Sequence, residues 1–233
     1  MSKHIPKYLK GQYDIYTMKS FKDVPGWIND AEFVYPKMVN NAQDGDHFVE
    51  IGTLLGQSTS WMCQLIKESD KDIKFDSIDL FWPIEHAIKN HEVTGHPKEF
   101  DQYLTDLTKE FNLNTLDIIK HPLRVLGVEK YVNLITCDEQ YAHGIYEDNS
   151  IQFLWIDGDH GKNIVYNDLV NFWPKIKNGG TIGGDDMVYK EVSDDVFKFS
   201  KEYNVKVKYE NTDGLNYFLI TKDEQWKENG CRH

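Results

Sequence analysis

Residues 47–66 read HFVEIGTLLGQSTSWMCQLI, and three kinds of pattern follow one another in this stretch. The run Phe48–Ile51 is typical of a short buried strand, and it stops at Gly52. Beyond the glycine turn, apolar residues recur at helical spacing and predict a helix with one buried face. A strand, a tight turn and a helix in this order let a ligand approach backbone N–H groups at the start of the helix.

Strand and helix patterns continue to alternate along the rest of the chain. Further strands are predicted at 75–80, 131–136, 152–156 and 181–184. A terminal hairpin is predicted from 205–209 and 215–221, with turn-forming residues between them. Such alternation is typical of α/β proteins. We therefore expect a doubly wound, Rossmann-like, mostly parallel seven-stranded sheet with one antiparallel strand near its edge.

Three helices have recognisable boundaries. One is predicted over Ala31–Asn41. A second follows residue 160, and we expect it to end at Pro174 and the pair Gly179-Gly180. Ser193 is expected to cap a third helix, with aspartates in its first turn.

Size and composition limit the domain organisation. The chain has 233 residues, 40% of them hydrophobic, which suits one α/β domain. We expect a lid or edge segment at 1–46 and a main domain at 47–233, with a mainly helical insertion around 81–130. The aromatic lid segment and the acidic surface are compatible with a homodimer.

Charge and cysteine usage exclude several classes of function. A net charge of -12 repels nucleic acid and suits a protein that gathers cations. No apolar run is long enough to span a membrane, and the N-terminal residues do not form a signal peptide. Three widely spaced cysteines argue against a disulfide framework or a zinc site. We expect a cytoplasmic protein with no nucleic-acid or membrane partner.

Ligands of doubly wound sheets bind outside the carboxyl ends of the strands, so residues at these positions are candidates for function. The turn with Gly52 and Gly56 is either a nucleotide site or a plain tight turn. Asp79 can accept both hydroxyls of a ribose, or it is a solvated acid. Polar side chains after the third strand, Asp138 and Gln140 among them, could meet an adenine edge.

A second group of candidates is more specific. Asp157 and the pair Asp185-Asp186 follow two strands that we expect to be neighbours, so their carboxylates can converge. Crowded carboxylates need a cation, and oxygen ligands favour Mg²⁺ over zinc. His160, three residues after Asp157, can take a proton near neutral pH. The alternative is that these aspartates only cap helices and turns.

Three motifs together resemble those of class I S-adenosylmethionine (SAM)-dependent methyltransferases, and within that class the metal-dependent O-methyltransferases of the macrocin and catechol type. The motifs are Val49-Glu50-Ile51-Gly52-Thr53-Leu54-Leu55-Gly56-Gln57-Ser58, Phe153-Leu154-Trp155-Ile156-Asp157-Gly158-Asp159-His160 and Gly179-Gly180-Thr181-Ile182-Gly183-Gly184-Asp185-Asp186. The likeness runs from about His47 to Thr221. Histidine at the base position and aspartate at the third ligand position follow the macrocin pattern.

This resemblance implies roles for individual residues. Gly52, Gly56 and Ser58 would border the methionine moiety, Asp79 would hold the ribose, and Asp138 and Gln140 would lie near adenine. Glu50, Thr53 and Asp157 would complete the cofactor pocket. Asp157, Asp185 and Asp186 would bind the metal, and His160 would be the general base.

The resulting hypothesis is metal-assisted methyl transfer from SAM to a hydroxyl oxygen of a small molecule, such as a sugar or a catechol-like diol. Two alternatives keep the fold: an iron-dependent hydroxylase and a non-catalytic cofactor-binding module. A nicotinamide oxidoreductase is a third, and the absence of glycine at Leu54 counts against it.

Overall fold

The computed structural model describes residues 18–81, 102, 105–106, 115–212 and 214–223. Within them lies a seven-stranded sheet with the strand order β3-β2-β1-β4-β5-β7-β6. The strands are β1 His47–Ile51, β2 Lys74–Asp79, β3 Asn133–Thr136, β4 Ile151–Ile156, β5 Ile176–Gly184, β6 Lys208–Tyr209 and β7 Phe218–Thr221. Neighbouring strands from β3 to β5 are parallel, and β7 runs antiparallel to both β5 and β6. The predicted fold class, with one antiparallel strand near the edge, is confirmed.

Six α-helices are present in the described part of the chain. They are α1 Asn29–Asn41, α2 Gln57–Ser69, α3 Thr115–Val125, α4 Glu139–Ala142, α5 Ile164–Phe172 and α6 Lys190–Tyr203. Short 3-10 segments cover Phe21–Asp23, Glu129–Tyr131, His143–Ile145 and Trp173–Lys175. Residue 131, expected in a strand, therefore belongs to a 3-10 turn that precedes β3.

The two faces of the sheet bury two apolar clusters. Side chains of α1, α2 and α3 pack with Phe153 and Trp155 on one face. Side chains of α4, α5 and α6 pack with Leu154 and Ile156 on the other. Successive side chains of β4 point to opposite faces of the sheet, as they do in any strand. Both faces of the sheet are apolar because helices cover both. Trp155 and Trp173 are fully buried, as expected of core residues.

The prediction that Gly179 and Gly180 end the helix after residue 160 is wrong. Helix α5 ends at Phe172 and a 3-10 turn follows, but Gly179 and Gly180 lie inside β5. Both glycines form hydrogen bonds with the backbone of Lys222. Gly179 N donates to Lys222 O at 2.6 Å, and Lys222 N donates to Gly180 O at 2.9 Å. These long-range hydrogen bonds outweigh the low strand preference of glycine.

The start of α6 also differs from the prediction. The helix begins at Lys190, so Ser193 lies inside it and caps nothing. Tyr189 is the N-cap residue, and its N–H donates to Asp186 O at 2.9 Å in a turn that ends the preceding loop. Asp195 is buried and accepts a hydrogen bond from Tyr166 N at 3.1 Å, so it joins α6 to α5.

Two predicted segments lie partly outside the described residues. Of the lid segment 1–46, residues 1–17 are outside, and the remainder contains α1 packed against α2. Most of the insertion predicted around 81–130 is also outside, apart from short stretches and α3. Among the described residues, no helix is both long enough and apolar enough to cross a membrane.

Candidate active site

The turn between β1 and α2 brings the chain close to the end of β4. Gly52 has φ +92° and Gly56 has φ +84°, both in the left-handed region that glycine adopts without strain. A Cβ on Gly52 would lie only 1.8 Å from Asp157 O. Glycine is therefore required at position 52 by both backbone conformation and space, and the turn directly contacts the backbone of Asp157, one of the candidate metal residues.

Asp79, at the end of β2, closes the other side of this turn. Its Oδ2 accepts hydrogen bonds from Thr53 N at 2.9 Å and Leu54 N at 3.2 Å, and its Oδ1 accepts one from Phe81 N at 2.9 Å. The carboxylate is thus fixed beside the glycine turn by backbone donors. This is the position from which a ribose would be reached, and ribose binding stays a prediction.

Glu50 lies beneath the turn and is only 1% exposed. Its carboxylate accepts hydrogen bonds from Tyr35 Oη at 2.8 Å, Thr59 Oγ1 at 2.5 Å and Ser77 Oγ at 2.8 Å. Burial raises the pKa of Glu50, and these hydrogen bonds partly offset the rise. Because its oxygens already have partners within the chain, Glu50 joins β1, α1, α2 and β2 beneath the predicted cofactor pocket.

The remaining predicted cofactor residues lie on the same side of the site. Thr53 and Ser58 are buried at the turn and in the first turn of α2, and Thr53 Oγ1 lies 2.7 Å from Ser77 Oγ. Asp138 Oδ1 accepts a hydrogen bond from Gln140 N at 3.0 Å and caps α4. The Gln140 side chain is exposed. Contacts of these residues with a cofactor stay predictions.

The predicted metal residues are brought together. Asp157 directly follows β4 and Asp185 directly follows β5, and the last residues of these strands, Ile156 and Gly184, are parallel partners. Asp157, His160, Asp185 and Asp186 each offer one ligand atom, and these atoms all lie within 4.8 Å of one another. All four residues are half-buried. The convergence expected from the strand order is therefore present.

The electrostatics of this cluster fit a bound cation. Burial raises the pKa of Asp157 well above its usual value, and the charges of Asp186 and Glu50 raise it further. Burial and the charges of Asp157 and Asp186 do the same for Asp185, whose buried Oδ1 has no hydrogen-bond partner among the described residues. A divalent cation would relieve both the repulsion and the missing partner. Three carboxylates with one imidazole nitrogen suit Mg²⁺, and the imidazole also suits iron.

His160 is held between a carboxylate and an aromatic ring. Its Nε2 lies 2.7 Å from Asp186 Oδ2, and the two groups form an ion pair when the imidazole is protonated. Its ring stacks on Tyr189, with 5.1 Å between centroids and 16° between planes. Burial lowers the pKa of His160, but the contact with Asp186 and the charges of Asp186, Asp159 and Glu139 outweigh it and raise the pKa overall. The raised pKa makes the imidazole a stronger proton acceptor than a free histidine side chain.

Sequence reasoning missed three residues near this site, and a fourth, Glu139, was expected only among the polar side chains that follow the third strand. Tyr189 was not considered, and Asp30 lay in the segment interpreted as a lid. Glu139 packs its carboxylate against Gly158, and burial together with nearby carboxylates raises its pKa to about 7. Asp168 is fully buried on α5. Only Asp168 left a readable signal, because a carboxylate three residues after Val165 falls on the apolar face of the helix.

Comparison with known proteins is consistent with this arrangement. Residues 49–187 match the family model of a methyltransferase domain, and the match covers more than half of the chain and all four residues of the acidic cluster. The chain therefore belongs to this methyltransferase family. The resemblance to class I SAM-dependent methyltransferases is confirmed by the family model together with the strand order. No curated protein matches the sequence.

Solved structures share the fold at low sequence identity. The O-methyltransferase NovP has a TM-score of 0.63 and 16% identity, covering 94% of this chain and 96% of its own. TomG from Streptomyces achromogenes, an O-methyltransferase of tomaymycin synthesis solved with SAM, has a TM-score of 0.59 and 12% identity over 86% and 82% of the two chains. An O-methyltransferase from Bacillus cereus, solved with SAH, has a TM-score of 0.56 and 13% identity over 95% and 94%.

Proposed function

We propose that this protein transfers a methyl group from SAM to a hydroxyl oxygen of a small molecule, assisted by a divalent metal, with Mg²⁺ the expected ion. The observation that carries the proposal is the convergence of Asp157, His160, Asp185 and Asp186 within 4.8 Å, next to the glycine turn. SAM-bound and SAH-bound O-methyltransferases share the fold. The family places a methyl donor beside that turn, so donor and cluster would be neighbours.

The chemistry divides between the cofactor, the metal and the chain. The sulfonium of SAM already makes the methyl group electrophilic, so the protein need only place an oxygen in line and help to remove its proton. A Mg²⁺ held by Asp157, Asp185 and Asp186 would supply Lewis-acid activation of the hydroxyl. His160, beside the cluster, would accept the proton.

A vicinal diol is the acceptor class that this site favours, because two adjacent oxygens can chelate one cation. The diol would be carried by a sugar or by a catechol-like ring. Strongly anionic acceptors are disfavoured, since the cluster and the net charge of -12 repel them. The reaction is expected in the cytoplasm, with no nucleic-acid or membrane partner, in a monomer or a homodimer.

Calorimetric titration with SAM and SAH, with Mg²⁺ and with chelator, is the first test. We expect micromolar cofactor binding and a separate Mg²⁺ signal that Asp185→Ala abolishes. Asp148→Ala is the matched control, because this exposed carboxylate pairs with Lys175 at the amino end of the sheet. Absence of SAM and SAH binding would contradict the proposal.

Turnover on a panel of catechols and sugars tests the chemical step. His160→Ala should lower kcat by about 10²-fold or more, the usual contribution of a general base. Cofactor affinity should not change, because His160 lies on the side of the metal cluster. Methylation by His160→Ala at the wild-type rate would remove the base assignment.

An iron-dependent hydroxylase is the second candidate, because an imidazole nitrogen of His160 belongs to the group of converging ligand atoms. Iron-dependent oxygen consumption without methyl transfer would favour it. Cofactor binding without turnover on any diol would instead favour a binding module.

A further inference from the structure

The loop with Asp185 and Asp186 is held by a chain of hydrogen bonds that begins on α1. Met187 N, directly after the two aspartates, donates to Asn216 O at 2.9 Å. Asn216 N in turn donates to Asp30 Oδ1 at 2.8 Å, and Asn216 Nδ2 lies 3.4 Å from Asp30 Oδ2. One carboxylate of α1 therefore fixes the segment before β7, and that segment fixes the metal loop.

Both ends of this chain of contacts are buried, and Asn216 between them is half-buried. Asp30 is 5% exposed and Met187 is 2% exposed. A buried donor that loses its acceptor costs about 1 to 3 kcal/mol, so these hydrogen bonds resist opening. Removal of the Asp30 carboxylate would leave Asn216 N without its acceptor and would loosen the segment that holds the loop.

The loop needs such support because its backbone is strained. Asp186 has φ +59°, a left-handed conformation that residues with a Cβ adopt at a cost. The next residue, Met187, carries the N–H that Asn216 holds, and Tyr189 N closes the turn onto Asp186 O at 2.9 Å. Conformation at Asp186 decides where its carboxylate lies relative to Asp157 and His160.

Asp30 also contributes its charge to the surroundings of the cluster. Its negative charge is among the causes that raise the pKa of Asp185, so it lies within electrostatic reach. Yet its oxygens are directed to Asn216, and it is not among the four converging ligand residues. Its contribution is support of the loop rather than direct ligation.

We propose that Asp30 is a positioning residue of the metal site, which holds the Asp185-Asp186 loop in its ligating conformation through Asn216. The inference rests on the proposed divalent-metal site and makes α1 part of that site. The resulting dependence of metal affinity on α1 is a property that neither the family model nor the metal ligands themselves specify.

Calorimetric titration of the full chain with Mg²⁺ tests this role. Asp30→Ala should weaken Mg²⁺ affinity about ten-fold or more, as loss of a residue that orients metal ligands does. Asp30→Asn should stay within about three-fold of wild type, because its amide oxygen can still accept from Asn216 N. Asp30→Glu keeps the charge but displaces the oxygens, so it should lose affinity as Asp30→Ala does.

Asp46→Ala is the matched control. Asp46 is 8% exposed and also braces a loop, with Gln43 N at 2.8 Å and Lys177 Nζ at 2.9 Å, but it precedes β1 at the opposite end of the sheet. Its loss should lower the thermal midpoint and leave Mg²⁺ affinity unchanged. SAH affinity, measured in every variant without Mg²⁺, should also be unchanged.

The outcomes separate the two proposals. No Mg²⁺ binding by the wild type would overturn metal assistance and the role of Asp30 with it. If the wild type binds Mg²⁺ and Asp30→Ala binds it with equal affinity, only the role of Asp30 is overturned. An equal loss of Mg²⁺ affinity in Asp30→Asn and Asp30→Ala would show that the charge of Asp30 matters and that its hydrogen bond to Asn216 does not. If Asp30→Ala does not fold, the contrast between Asp30→Asn and Asp30→Glu decides the matter.

Discussion

Asp168 is a single residue whose burial has a measurable cost. It is fully buried, and neither of its carboxylate oxygens has a hydrogen-bond partner among the described residues. Burial and the charges of Glu139, Asp138, Asp159 and Asp195 raise its pKa from 3.8 to about 8. The folded protein therefore keeps this proton between about pH 4 and pH 8, where the unfolded chain has lost it. This difference makes the free energy of unfolding fall as pH rises through that window.

Asp168→Asn should abolish this loss, because an amide has nearly the same shape and no charge. We expect the variant to match the wild type at pH 4 and to exceed it by roughly 1 to 4 kcal/mol at pH 8. Urea unfolding at both pH values measures the difference. Asp148→Asn, exposed and paired with Lys175, is the control and should change stability little. Equal stability of Asp168→Asn and wild type at pH 8 would mean that the Asp168 carboxylate has a hydrogen-bond donor or cation outside the described residues.

Tyr189 presents a half-exposed ring beside His160, on the side of the site that we propose for the acceptor. Its ring stacks on His160 and is 48% exposed. Tyr189→Ala should lower kcat/KM for the acceptor about five-fold, since an aromatic stack contributes about 0.5–1.5 kcal/mol. Tyr189→Phe should keep the wild-type value. Steady-state kinetics at saturating SAM measures this, and a change in SAM affinity instead would place the ring on the cofactor side.

At the scale of elements, the β1–α2 turn depends on a glycine for space as well as for conformation. Gly52→Ala should displace the turn or the end of β4 and weaken SAH binding at least ten-fold, because its Cβ would lie 1.8 Å from Asp157 O. Calorimetry with SAH measures the loss.

Gly45 supplies the matched control for that substitution. Its φ of +86° is close to the +92° of Gly52, but no described residue lies within 4 Å of a Cβ built on Gly45. Gly45→Ala should therefore cost only the conformational strain, about 1 to 2 kcal/mol of stability, and should not affect SAH binding. Similar SAH affinities for the two variants would show that strain alone, not the clash, matters at position 52.

Most strands could be predicted from the sequence because buried parallel strands are short apolar runs between turns. The same local reading misplaced the end of the helix before β5, where Gly179 and Gly180 join a strand through pairing with Lys222, more than forty residues away. The cluster of Asp157, Asp185 and Asp186 followed from strand order alone. Asp30 did not, because its link to the loop passes through Asn216, which no sequence spacing connects to it.

At the scale of the molecule, the proposed metal site predicts that stability depends on Mg²⁺. Without a cation, the neighbouring carboxylates repel one another and burial raises the pKa of Asp157 and Asp185, so the folded state carries a free-energy cost. Mg²⁺ at about 100 times its Kd should stabilise the protein by about 2.7 kcal/mol, and chelator should reverse the effect.

Thermal unfolding with and without Mg²⁺ measures this dependence. Asp185→Asn removes one of the repelling charges, so we expect a higher Tm than wild type in chelator and no rise on addition of Mg²⁺. Asp194→Asn, an exposed carboxylate that pairs with Lys190, should keep the wild-type response. A Mg²⁺-induced rise that survives in Asp185→Asn would mean that the ion binds elsewhere.

The close approach of Gly52 to Asp157 O has a thermodynamic consequence. It is where the first half of the sheet, which carries the turn proposed to bind the methyl donor, meets the second half, which carries the proposed metal ligands. We expect two ligands on opposite sides of this contact to be energetically linked, and any such linkage is reciprocal. Mg²⁺ should therefore change the affinity for SAM by the same factor by which SAM changes the affinity for Mg²⁺. A variant that loosens this contact should bring this factor towards one, so that the affinity for each ligand no longer depends on the presence of the other.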